Sequence, residues 1–189
     1  DISDIDLWDP LPLPVELQER YADLAYDLQL IDMDDTENAF ASLGGQLYIT
    51  RAFLDQIQYY EELDFIIWHE VGHIENRDVF KNLISSFPLI IFLSLFWWDY
   101  GLTLFQWVIG NTHSKINETR VDRYAADFVF QKNGHVGCTL DFFEKSNTIE
   151  GNLMEVFSTH PVTELRIQRI QKYISEQWYV EKDCTPYNL

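Results

Sequence analysis

Leu63-Asp64-Phe65-Ile66-Ile67-Trp68-His69-Glu70-Val71-Gly72-His73-Ile74-Glu75-Asn76 decides how the rest of the chain is read. Its apolar residues recur at helical spacing, which predicts a helix from Leu63 to about Lys81. Residues four apart share a helix face, so His69 and His73 aim two imidazoles at one point. Glu70 starts beside that point. Two neutral imidazoles and a carboxylate that is not a ligand make the working half of a hydrolytic zinc site. Catalytic zinc usually takes three protein ligands, so a third is expected elsewhere. Gly72 costs about 1 kcal/mol in a helix interior relative to Ala. Its expected gain is close approach of other backbone to the site.

With 189 residues, 47% hydrophobic and 15% aromatic, the chain has the material for one domain, 1–189, with a sizeable core. Thirteen Lys+Arg stand against 31 Asp+Glu, a formal net charge of −18. That balance argues against nucleic acid and anionic lipid as partners, since phosphate binding needs basic patches. Its simplest use is solubility. Cys138 and Cys184 fit no zinc or redox spacing, and the sequence leaves open whether they pair. The chain begins without Met and without a signal-peptide pattern, as a processed product or a fragment would.

Outward from the central stretch, Pro10, Pro12 and Pro14 make 1–14 an extended lead-in. Leu17, Tyr21, Leu24 and Leu28 predict a first amphipathic helix from Val15 to about Leu28. Two β-type segments flank Gly44-Gly45 and read as a hairpin. A short helix follows over Arg51–Gln58. Leu83 to Trp98 is an uncharged run of sixteen, short of the ~20 residues a spanning helix needs. With Asp99 at an aromatic turn, 83–112 reads as an apolar helical-hairpin insert, suited to a membrane interface or a protein partner. Helices are again predicted over Asn117–Gln131 and Glu164–Tyr179, with a short one beginning near Leu140.

Glu118 is the best candidate for the third ligand. Glu118-Thr119-Arg120-Val121-Asp122 puts two carboxylates on one helix face. Glu118 would bind the metal, and Asp122 would accept the N–H of a ligating imidazole, setting its tautomer. His113 and His135 compete for the ligand role, though a lone exposed histidine explains each. Asp127 is expected in a surface ion pair with Arg123.

Four stretches together resemble the gluzincin metalloendopeptidase family that includes HtpX, BepA and the type I CAAX prenyl proteases. Asn38-Ala39-Phe40-Ala41 with Gly44-Gly45 is similar to its N-A-F-A-x-x-G-G hairpin. His69 to His73 with Asn76 and Asp78 matches its H-E-[LV]-[GS]-H-x-x-N-x-D helix. Glu118 to Asp122 with Arg123 and Ala125 resembles its E-x-x-A-D-R-x-A helix. Ser158-Thr159-His160-Pro161 with Arg166 resembles its late S-x-H-P-x-x-x-x-x-R segment. Val121 replaces the usual Ala, and the Gly-Gly turn lacks the preceding Pro.

The resemblance implies a mainly α (α+β), zincin-like fold with a small sheet beside the active-site helices. It implies one Zn²⁺ on His69, His73 and Glu118, Glu70 as general base, and His160 and Arg166 as second donors to the oxyanion. It further implies a polypeptide substrate laid along Asn38, Ala39, Phe40 and Ala41 as an added strand. The expected function is zinc-dependent endopeptidase. The alternative is a catalytically silent, zinc-bound module that holds polypeptides. A membrane-associated or cell-envelope placement is expected over a cytoplasmic one.

Overall fold

The computed structural model describes residues 10–33, 36–42, 45–78, 115–141 and 163–187, together with Lys81, Ile84 and Phe143. Among these the fold is mainly helical, with a small mixed sheet. The elements are β1 (Pro10–Leu11), α1 (Val15–Arg20), β2 (Leu28–Ile31), β3 (Ala39–Ala41), β4 (Leu47–Thr50), α2 (Arg51–Leu54), α3 (Tyr60–Glu75), α4 (Lys115–Asn133) and α5 (Glu164–Glu176).

The central stretch forms α3, which is buried nearly all round. Leu63, Phe65, Ile67 and Val71 are in the core, and so are Glu61, Glu62 and Asp64. A helix enclosed on every side must pack against several layers at once. α3 has β3 and β4 on one flank and α4 on another, while α5 packs on α4. Its start is secured twice. Glu62 accepts from the backbone N–H groups of Gln58 and Tyr59. Glu61 accepts from the backbone and hydroxyl of Thr185, in a C-terminal segment that folds back over the helix. Both carboxylates also favour the positive end of the helix dipole.

α3 ends earlier than its apolar periodicity predicts. Asn76 caps it, donating its side-chain amide to the Gly72 carbonyl at 2.6 Å. Arg77 then takes φ 52°, a left-handed conformation that costs a non-glycine residue about 1–2 kcal/mol. This turn stops the helix and carries Asp78 back toward His73.

The sheet has the order β1-β2-β4-β3. β3 and β4 form the expected antiparallel hairpin, with Phe40 opposite Tyr48 and their rings stacked at 5.2 Å. β2 runs parallel to β4, and β1 antiparallel to β2. The first helix stops at Arg20 rather than Leu28, because Leu28 to Ile31 become the strand between β1 and β4. Burial of Leu30 and Ile31 by sheet pairing outweighs the helical spacing. Thr50 ends β4 and starts α2, its hydroxyl accepting from the Phe53 N–H at 3.2 Å and the Asn38 N–H at 2.9 Å. Cys138 and Cys184 are joined in a disulfide with their Cα atoms 6.0 Å apart, within the ordinary span.

The expected membrane-associated or envelope placement is corrected here. No helix among the described residues is long and apolar enough to cross a membrane. α3 has 16 residues and carries Glu61, Glu62, Asp64, Glu70 and Glu75, whereas a span needs about 20 mostly apolar residues. The insert 83–112 lies outside the described residues apart from Ile84.

Candidate metal centre

α3 and α4 supply the site, and Gly72 sets how near they come. A Cβ at Gly72 would lie 3.0 Å from the Cβ of Val121 and 3.2 Å from Tyr124 Cδ1. The glycine therefore admits side chains of α4, not the backbone that the sequence suggests. Val121 is fully buried in this contact. The close crossing puts Glu118 opposite the two histidines.

His69, His73 and Glu118 form a buried cluster whose ligand atoms all lie within 4.8 Å of one another. The two Nε2 atoms are 3.3 Å apart. Glu118 Oε2 is 3.5 Å from His69 Nε2, and Oε1 is 3.4 Å from His73 Nε2. A tetrahedron with metal–ligand bonds of about 2.05 Å has edges of about 3.3 Å. The two imidazole nitrogens are spaced as two such corners, and Glu118 brings one carboxylate oxygen toward each of them. Two imidazole nitrogens and one carboxylate oxygen are also a zinc donor set.

Each imidazole is oriented by an aspartate behind it. His69 Nδ1 is 2.9 Å from Asp122 Oδ1, the partner expected from the sequence. His73 Nδ1 is 3.0 Å from Asp78 Oδ2. Both contacts turn Nε2 toward Glu118. Asp78 stands in the motif pattern, five residues after His73, but no role for it was legible there.

Arginines complete both arms. Arg166 donates to Asp122 through Nε at 2.8 Å and Nη2 at 2.7 Å, a bidentate pairing, and its Nη1 is 3.1 Å from Glu118 Oε2. Its guanidinium also lies 5.2 Å from the Phe143 ring centroid. Arg120 donates to Asp78 Oδ1 at 2.6 Å. Nothing in the sequence marks Arg120, since its partner belongs to a different element.

Burial works against charge on both rings, but the hydrogen bonds outweigh it. His73, beside Asp78 and Glu118, is pushed up to about 9, and His69, beside Asp122 and Glu118, is also raised. Asp122 and Asp78 are held below the usual carboxylate range, because their cationic partners overcome the cost of burial. The pocket thus favours positive charge where the two Nε2 atoms meet. Glu70 is buried on the same helix, with its charge felt by both His73 and Arg166.

Of the other expected residues, Ala39, Phe40 and Ala41 form β3, and Asn38 precedes it. His160 and His113 lie outside the described residues. His135 is buried away from the cluster, 3.6 Å from Glu61. Asp127 accepts from the hydroxyls of Tyr173 and Tyr179 at 2.8 and 2.7 Å, while Arg123 lies over the Tyr173 ring.

No curated protein matches the chain significantly. The family model described as peptidase family M48 matches residues 16–174, a span that contains the whole cluster and both of its aspartates. With helices α3 and α4 supplying the H-E-x-x-H and Glu118 halves of one buried centre, the chain belongs to peptidase family M48.

Proposed function

We propose that the chain is a zinc-dependent endopeptidase in which His69, His73 and Glu118 hold the metal and Glu70 is the general base. The observation that carries the reading is the set of 3.3–3.5 Å separations among the two imidazole Nε2 atoms and the two carboxylate oxygens of Glu118, on elements that also place Glu70. Zinc, when bound, supplies Lewis acidity toward the scissile carbonyl and lowers the pKa of a coordinated water to about 7.

The protein's own groups do the rest. The Glu70 carboxylate takes a proton from the attacking water and passes it to the leaving amine nitrogen. Asp122 and Asp78 hold His69 and His73 with Nε2 forward. The three nitrogen positions of Arg166 all engage Asp122 or Glu118, which supports positioning of those carboxylates as its main role. His160 enters the reading by resemblance alone, as a donor to the developing oxyanion.

A polypeptide lies along β3 as an added strand, extending the sheet beyond β3. β3 is an outer strand beside α3, which supports this placement. Asn38 Oδ1 is buried without a hydrogen-bond partner among the described residues, as suits an acceptor for a peptide N–H. The uncharged residues of 83–112 suit contact with a protein partner.

Glu70→Gln tests the reading. It should retain zinc by elemental analysis and lose casein cleavage by about 100- to 10,000-fold. Wild-type turnover in that variant would remove Glu70 as the base. Zinc retention without cleavage by the unsubstituted chain would favour a polypeptide-holding module.

A further inference from the structure

The site has an outer arm that reaches solvent. Asp78 is 1% exposed, with one carboxylate oxygen on His73 Nδ1 and the other on Arg120. Arg120 keeps 43% of its side chain exposed and has Asn117 Oδ1 at 3.5 Å, at the limit of a hydrogen bond. One surface cation is thus joined through a buried carboxylate to a metal-ligating ring. Arg120 follows Glu118 by two residues on α4, whereas Asp78 lies beyond the end of α3. The contact therefore also ties the helix bearing one ligand to the turn behind another.

We propose that Asp78 and Arg120 are positioning residues for His73, and that Arg120 makes the metal affinity of the site depend on salt. The inference rests on His69, His73 and Glu118 being the ligands. Asp78 fixes the tautomer and tilt of the His73 ring. Arg120 fixes the rotamer of Asp78, which would otherwise be free to turn its second oxygen elsewhere. An ion pair with an exposed member weakens as the screening length falls, from about 30 Å at 0.01 M salt to about 3 Å at 1 M. The corresponding arm on His69 ends in buried Arg166 and is shielded from such screening.

The test measures zinc affinity by chelator competition, and the absorption spectrum of the cobalt(II)-substituted protein, at about 0.01 M and about 1 M salt. Arg120→Gln should bind zinc about two- to fivefold more weakly than the unsubstituted chain at low salt, the range of an exposed pair. The difference should vanish at high salt, and Arg120→Lys should restore most of it. Asp78→Asn should lower affinity about 10- to 100-fold at both salts and shift the cobalt bands. Melting of the metal-free proteins separates these effects from loss of folding, and Arg120 is exposed enough to be replaced safely. Wild-type affinity in Arg120→Gln at low salt, or an unchanged spectrum and affinity in Asp78→Asn, would overturn the proposal. Wild-type zinc affinity in His73→Ala would instead overturn the ligand assignment beneath it.

Discussion

His69 and His73 each turn Nδ1 to an aspartate, and each aspartate is met by an arginine. Yet the side chain of Arg166 is 7% exposed and that of Arg120 43%. The inner arm, His69–Asp122–Arg166, is closed over by α5 and by Phe143. The outer arm, His73–Asp78–Arg120, opens at its last member. The same three residue types therefore do different work. In the interior, Arg166 is the countercharge that holds Asp122 below the usual carboxylate range and lies against Glu118, and water cannot replace it. At the surface, Arg120 competes with water and dissolved ions, so it tunes geometry more than it secures the fold.

The largest expected difference between the arms is in stability. Arg166→Leu leaves two buried carboxylates without their cation and should cost about 3–5 kcal/mol, read from denaturant midpoints of the metal-free protein. A loss below about 1 kcal/mol would make the inner arm no different from a surface pair and would break the comparison.

A buried carboxylate away from the candidate metal centre sharpens the point. Asp64, fully buried on α3, pairs with Arg20 and Lys132, and accepts from Tyr21 and Asn133. Burial raises its affinity for a proton, but these partners win and hold it below the usual range. A depressed folded-state pKa gives stability that is complete above the unfolded value of about 3.9 and is lost as pH falls through the folded value. Urea midpoints should therefore fall below about pH 4, and Asp64→Asn should be less stable near neutrality but flatter across that window, by about 1.5–3 kcal/mol. An equal acid slope in both proteins would assign the loss to other carboxylates.

The smallest effect belongs to the outer arm. Arg120→Leu should change stability by no more than about 1 kcal/mol in the same denaturation experiment. A cost as large as that of Arg166→Leu would show that solvent does not screen this pair.

Much of the site was legible because it is written in four-residue steps. His69 and His73, and Glu118 and Asp122, are placed by helix geometry alone, and both helices cover those positions, although α3 ends before Lys81. The β3–β4 hairpin was legible for a similar reason, since its partners lie on either side of a short turn. What escaped notice depends on distant partners. Leu28 looks like the end of the first helix until β1 and β4 flank the strand it begins. Asp78 acquires its role only because Arg77 turns the chain back after α3. The resemblance pointed to Arg166 as an oxyanion donor, but its hold on Asp122 could not be read before α5 was packed against α4.

By itself, then, the amino-acid order determined which residues could share a metal, because a helix repeats its faces at a fixed local interval and needs no partner to do so. Tertiary structure decided which cations stand behind those candidate ligands, that Cys138 and Cys184 pair, and which arm of the site meets solvent. Those outcomes depend on the crossing of α3 and α4 at Gly72 and on the dielectric around each charge. Both are properties of the packed molecule, with no trace in local spacing.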